Sequence, residues 1–279
     1  MSLSLYVVGW GRMGSALALQ ARAGGVRLVG ALSRHQSSIA RARRAGVAAS
    51  KVQPRSLAAD LVVLAVPDGA IAAAARALAR VSLSPGATVA HLSGALDLAP
   101  LAPLQGRASL GSLHPLCSVA SSETPLAGAS CAVDGDRAAR RRLLALARAV
   151  GLRPLSRPPR DRTRYHLAAS LLASGAATLA DLAAEIAASA GLPRREAERA
   201  LATLLASVAG NVSRLGAARA LTGPVVRGDA ATVARHLALL DREPDTRALY
   251  RAVARAALAL GGDGDPRGRK AISRMLSRP

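Results

Sequence analysis

The sequence predicts a doubly wound α/β domain followed by an all-helical one. Three observations carry this. Short apolar runs without helical spacing alternate with Ala- and Leu-rich helical stretches as far as about residue 155. A glycine-rich turn stands between the first apolar run and the first helical stretch. Beyond the consecutive prolines Pro158 and Pro159, the apolar pattern changes to the period of long helices.

Residues 3–9 form the first predicted strand, which ends on Gly9-Trp10-Gly11-Arg12-Met13-Gly14. A helix over 15–23, a strand over 26–32 and a polar helix over 37–45 complete a βαβ unit. The run LVVLAV at 61–66 is continuous Leu, Val and Ala, as in a strand buried on both faces of a parallel sheet. Further strands are predicted at 88–92, 108–113 and 130–133. Residues 157–160 read as a linker, because two prolines suit neither helix nor sheet. Leu167, Leu171, Leu179, Leu182 and Ile186 mark one stripe of a long helix over 163–190. Gly191-Leu192-Pro193 ends it and starts another, to about 215. Two more helices are expected at 229–240 and 245–260, capped by Asp229 and Asp245. The domain boundaries follow as 1–155, 156–262 and a polar, mobile tail over 263–279.

A chain that is 51% hydrophobic, with mean hydropathy +0.24, buries a core. Its net charge of +21 comes almost wholly from arginine, since only Lys51 and Lys270 are lysines. The excess is spread evenly, +11 over residues 1–150 and +10 over 151–279. The aromatic side chains are Tyr6, Trp10, Tyr165 and Tyr250, with no interleaving of bases and aromatics. Specific nucleic-acid binding is therefore not expected, and the charge reads as background in an Arg-, Ala-, Gly- and Pro-rich composition. Cys117 and Cys131 make neither a CxxC pair nor a disulfide framework. The longest uninterrupted apolar stretches fall short of the roughly 20 residues of a bilayer span, and no charged n-region precedes an apolar h-region. A cytoplasmic protein without membrane partners or a metal is expected.

The Gly9-x-Gly11-x-x-Gly14 spacing gains meaning from its place between a strand and a helix. Gly9 serves the tight turn, Gly11 lets a pyrophosphate approach the backbone, and Gly14 lets the helix pack on the sheet. The amides of Trp10, Arg12 and Met13 lie in the same turn and helix start. An NAD site would place Asp or Glu at the end of the second strand. This chain has Ser33-Arg34, which suits the 2′-phosphate of NADP. Val66-Pro67 borders the ribose and nicotinamide side.

LAVPD at 64–68, HLSGA at 91–95, GSLHPL at 111–116, Tyr165-His166, and ALTGPVVRGD at 220–229 followed by Thr232-Val233 and His236-Leu237 together resemble a family. It is that of the Rossmann-like proteins carrying a C-terminal domain of unknown function 2520, relatives of pyrroline-5-carboxylate reductase and 6-phosphogluconate dehydrogenase. The resemblance implies an NADP-binding Rossmann domain, a helical domain that packs as a homodimer, and a site in the cleft between them. Gly175 stands where the family pattern has Asn. The long helix also lacks the amide or Lys used by related β-hydroxyacid dehydrogenases, and Asn211 on the next helix is the candidate substitute.

Read for chemistry, His91, Ser93 and His114 close adjacent strands at the ligand-binding edge. A reductase needs a donor for a developing oxyanion or amine, and His114, held extended before Pro115, is the first candidate, with His91 placed as a cofactor contact. Ser93 is a hydrogen bonder to cofactor or substrate. A second reading of both histidines is that they cap strand ends structurally. His166 shares a helix face with Ser170, away from the leucine stripe, and is the further catalytic candidate. Arg227, with Thr222, suits a substrate carboxylate or phosphate, or a structural salt bridge, and Asp229 a cap. Two functions follow: an NADP-dependent oxidoreductase acting on a small carbonyl or imine, or a non-catalytic NADP-binding sensor.

Overall fold

The computed structural model describes residues 3–261 and 264–277; the two ends of the expected tail lie outside these. Three strand–helix units, with two short strands between the second and third, open the chain. They are β1 (Ser4–Val8) and α1 (Arg12–Ala23), β2 (Arg27–Leu32) and α2 (Gln36–Arg44), the two-residue β3 (Ala49–Ser50) and β4 (Ser56–Leu57), then β5 (Leu61–Leu64) and α3 (Asp68–Leu78). β6 (Ser82–Leu83), β7 (Thr88–His91), a 3₁₀ turn at Ala99–Leu104, β8 (Ser109–Pro115), β9 (Ser130–Gly135), α4 (Arg137–Val150) and β10 (Arg153–Pro154) follow.

The main sheet has eight strands in the order β10-β9-β8-β7-β5-β1-β2-β3, and β4 pairs with β6 separately. All neighbours in the main sheet are parallel except β8 and β9. From β3 to β8 this is the doubly wound order, and it puts the crevice for a ligand where the chain reverses direction of winding, beside β1. The reversal at β9, and the strands β3 and β10, are not visible in the apolar pattern.

Strand alternation builds a core on each face. Leu5 and Val7 of β1, with Leu61 and Val63 of β5, face the layer containing Leu17, Ile39 and Leu143 of α1, α2 and α4. Tyr6 and Val8, with Val62 and Leu64, face Ile71 and Leu78 of α3 and Leu101 and Leu104 of the 3₁₀ turn. This is why the LVVLAV run has no polar position: both faces of β5 are covered. α4 is fixed at both ends. Asp136 accepts from the Ala138 and Ala139 amides at its start, and Gly151 closes it in the left-handed conformation.

The rest of the chain is helical: α5 (Arg162–Ser189), α6 (Arg194–Leu215), α7 (Ala217–Ala220), α8 (Pro224–Arg227), α9 (Ala230–Leu239), α10 (Pro244–Ala259) and α11 (Pro266–Ser277). The chain divides into two compact units, 1–175 and 176–279, so the division falls inside α5 and not at the proline linker. The first turns of α5 belong with the sheet because Arg162 and Tyr165 bond to β8 and β9 side chains.

The described part of the tail is ordered. Ile272 and Leu276 of α11 are buried with Val233, Leu237 and Ala254. The backbone of 226–228 receives the tail closely: a Cβ on Gly264 would lie 2.1 Å from the Val226 carbonyl oxygen, and one on Gly268 1.9 Å from that of Gly228. The polar look of the tail comes from the outer face of an amphipathic helix.

α5 also corrects the expectation about apolar length. By length and composition it is able to cross a bilayer, because its Ala, Ser, Thr and Gly residues break the run of large apolar side chains without making it polar. Little of it is buried: Leu167, Leu171 and Leu172 are 62%, 72% and 75% exposed.

Candidate nucleotide groove and histidine pocket

Two concave sites lie in the first unit at the carboxyl ends of the strands. The first is a groove of about 510 Å³ around the turn after β1. Gly9 has φ +104°, and its N–H donates to the Leu32 carbonyl at 2.8 Å. A Cβ on Gly9 would lie 2.2 Å from the Ala65 carbonyl oxygen, and one on Gly14 2.1 Å from that of Gly9. These two glycines let strand, turn and helix touch. Gly11 is different: a Cβ there meets nothing within 4 Å, so its openness faces the groove.

α1 starts at Arg12 with Gly11 as its N-cap and no side-chain cap, so its first-turn amides and the positive dipole end are free for an anion. Trp10 lines the groove although its side chain is buried, and its carbonyl accepts from Arg41 at 3.3 Å. Of the other expected contacts, Arg12 is exposed, Met13 packs against the core, and Gly14 lies in the helix–sheet contact; none of the three lines the groove.

Ser33 and Arg34 line the opposite wall. Ser33 is buried, donates its N–H to the Ser50 carbonyl at 3.0 Å, and accepts from the His35 amide. This β2–β3 pairing carries Lys51 and Gln53 into the same groove. Sequence reasoning missed both, because β3 is two residues long and its register with β2 is a tertiary fact. Val66 and Pro67 close the β5 side, and among the described lining residues there is no carboxylate.

The second site is a pocket of about 540 Å³ lined by His114, Cys117, Tyr165, His166, Ser170 and small residues of α5. A 3.0 Å hydrogen bond joins His114 Nδ1 to the Tyr165 hydroxyl, and the two rings meet edge to face at 5.4 Å. The His166 ring lies 6.1 Å from that of His114, and its Nε2 is 3.4 Å from Ser170 Oγ. The His114 ring lies over Gly94, where a Cβ would come within 2.7 Å of it. Burial, followed by repulsion from His166 and Arg162, pushes the His114 pKa down to about 4. It is a neutral imidazole near pH 7.

Arg162 holds this arrangement in place. Its side chain is 7% exposed, and one guanidinium nitrogen donates to Ser112 Oγ and to Asp134 Oδ2, each at 2.9 Å. Burial opposes ionisation of Asp134, but the Arg162 bond and the Gly135 amide outweigh it and hold its pKa below the ordinary value. The pair fixes the first turn of α5 on the β8–β9 edge, and Tyr165, three residues on, then reaches His114. Nothing distinguishes Arg162 among 36 arginines in the sequence.

The structure reassigns His91 and Ser93. His91 is fully buried; its Nδ1 accepts from the Ser93 amide at 3.2 Å, and its Nε2 donates to the Asp97 carbonyl at 2.8 Å. Both ring nitrogens are used, and burial lowers its pKa. Ser93 Oγ donates to Asp68 Oδ2 at 2.8 Å and accepts from the Ala95 and Leu96 amides. The two side chains build the 91–97 turn and line neither site. That turn carries Gly94, the platform for His114.

In the second unit, Thr222 and Arg227 line one groove of about 690 Å³ together with Arg219. Asn211 does not join them; its Oδ1 accepts from Arg214 on the same helix. Asp229 caps α9, accepting from the Thr232 amide at 3.0 Å.

Comparison with known proteins agrees with this fold. The Rossmann-like domain family matches residues 1–115, and the domain of unknown function 2520 matches residues 129–257. A Bacteroides fragilis protein provisionally named an NADP oxidoreductase superposes with a TM-score of 0.77 at 21% identity, over 92% of this chain and 98% of that one. Protein TM1727 of Thermotoga maritima gives 0.69 at 24% identity, over 92% and 97%. A 1-pyrroline-5-carboxylate reductase from Streptococcus pyogenes gives 0.62 at 15% identity, over 99% of each chain. No curated protein matches the sequence.

Proposed function

We propose that this chain, which joins a Rossmann-like domain to a domain of unknown function 2520, is an NADP-dependent oxidoreductase acting on a small carbonyl or imine compound. The observation that carries the reading is the juxtaposition in one unit of two sites at the same edge of the sheet. One is a glycine-turn groove with no carboxylate among its described lining residues; the other is a pocket built on a neutral, tyrosine-bonded histidine. The turn fits a dinucleotide, because Gly9 and Gly14 are spaces a Cβ would fill with a clash while Gly11 is open to the groove.

The α1 amides and Gly11 would hold the pyrophosphate, and Ser33 and Arg34 the 2′-phosphate. A bound nicotinamide supplies or accepts a hydride. His114, neutral at physiological pH, donates a hydrogen bond to the substrate's carbonyl oxygen or imine nitrogen, as a polariser and not as an imidazolium acid. Tyr165 orients the imidazole. Ala168, Ala169 and Ala173 of α5 give the pocket an apolar wall. Thr222 and Arg227, with Arg219, give a separate groove of the second unit the chemistry to hold an anion.

Loss of NADPH absorbance with a panel of keto acids, aldehydes and cyclic imines tests the reading, with His114→Ala as the control that abolishes turnover. Tight NADPH binding with no turnover on any of them would favour the sensor. A homodimer belongs to the same proposal: the bare apolar faces of α5 and of α6, where Leu204 is 58% exposed, favour burial against a second copy.

A further inference from the structure

We propose that Lys51 is a second specificity-determining cation, which shares the cofactor's 2′-phosphate with Arg34, and that Gln53 completes the seat as a neutral donor. The inference rests on the NADP reading and goes beyond it in naming the residues that decide between the two nicotinamide cofactors.

The placement follows from strand pairing. β2 and β3 run parallel with Leu32 opposite Ser50, and the Ser33 amide bonds to the Ser50 carbonyl. The chains therefore leave the sheet side by side, and Arg34 on one and Lys51 on the other both reach the groove. A phosphomonoester carries a charge of about −1.5 to −2 near pH 7, so one guanidinium leaves it incompletely matched, whereas two cations match it. Arg34 offers a planar fork and Lys51 a point charge on a flexible stem, two complementary ways to contact three phosphate oxygens. Arg41, on the neighbouring helix, is already engaged with Trp10 O and Ser38 Oγ.

Gln53 supplies an independent observation. Its Nε2 is buried and has no hydrogen-bond partner, yet the residue lines the same groove. A buried amide donor without an acceptor is costly, and turning the Gln53 side chain toward a phosphate or ribose oxygen in the groove would remove the cost. A 2′-hydroxyl, by contrast, is favoured by a carboxylate acceptor, and none lines this groove among the described residues.

Trp10 is the sole tryptophan and lines the groove, so its emission reports occupancy without turnover. Titrating the full chain with NADPH, NADH, adenosine 2′,5′-bisphosphate and 5′-AMP should show preference for the two ligands that carry the 2′-phosphate. Lys51→Ala should weaken those two about tenfold or more and leave NADH and 5′-AMP unchanged. Gln53→Leu should weaken them by a smaller factor, and Lys51→Arg should keep most of the affinity. If Lys51→Ala weakens all four ligands alike, or none, while Arg34→Ala abolishes the preference, the inference falls and the NADP reading stands. If the unaltered chain binds neither NADPH nor NADH, both fall. Lys51 is exposed, so its loss leaves the fold intact, and an unchanged melting temperature verifies that.

Discussion

The Tyr165 hydroxyl meets His114 Nδ1 at 3.0 Å, joining the first turns of α5 to the end of β8 across 51 positions of sequence. That bond fixes the ring of a half-buried histidine that lines a pocket and whose pKa is pushed down to about 4. Tyr165→Phe removes it while keeping the ring. The expected result is a loss of about 3- to 10-fold in kcat, the size of one neutral hydrogen bond to an oriented donor, with the Kd for NADPH unchanged. Steady-state kinetics beside a fluorescence titration separates the two.

Protonation of His114 should oppose folding. Its folded pKa of about 4 lies below the ordinary 6.5, so between these values the unfolded chain binds a proton that the folded chain does not. The histidine's contribution is fully present above pH 6.5 and is lost as the pH falls towards about 4. Urea midpoints for the unaltered chain and for His114→Gln, measured across this window, should converge as the pH drops; parallel curves would contradict the assignment.

Gly11 and Gly14 should separate cleanly. Gly14→Ala drives a Cβ against the Gly9 carbonyl and Ala65, and should cost about 1–3 kcal/mol or more as overpacking, seen as a lower melting temperature. Gly11→Ala meets nothing in the protein and should melt normally. Its methyl group occupies the approach to the α1 amides, so NADPH affinity should fall at least tenfold.

Arg162→Met should be among the more damaging changes in the first unit. It breaks a pair whose cation is buried and leaves Asp134 and Ser112 without their donor. Removing one partner of a fully buried pair costs about 3–5 kcal/mol; Asp134 is 36% exposed, which points to the lower end or below. The Tyr165–His114 bond should loosen too, visible as an upward movement of the His114 titration by NMR.

The apolar faces of α5 and α6 should be covered in solution. Sedimentation is expected to give a dimer, and Leu171→Glu with Leu204→Glu, both at exposed positions, should shift it to monomer without unfolding the α/β unit.

The α/β order and the helical second part were legible because their signals are local: apolar runs, glycines and prolines act within a few residues. The strand at 61–64 lies inside its predicted range, and Asp229 caps its helix as expected. The tail misled for a related reason. Ile272 and Leu276 are two apolar residues in a polar stretch, and only the contacts with α9 and α10 give them somewhere to go.

At the candidate site, the sequence alone determined the glycine turn, because Gly9, Gly11 and Gly14 encode backbone space and need no distant partner to be understood. It also singled out His114 and His166, since histidines at strand and helix ends are few in this chain. The tertiary structure alone decided which polar groups remain available. It committed His91 and Ser93 to a turn, brought Lys51 and Gln53 beside Arg34 through a two-residue strand, and chose Arg162 from 36 arginines as the one that anchors α5. The physical reason is that hydrogen-bond satisfaction and burial are properties of neighbours in space, and composition lists residues without their neighbours.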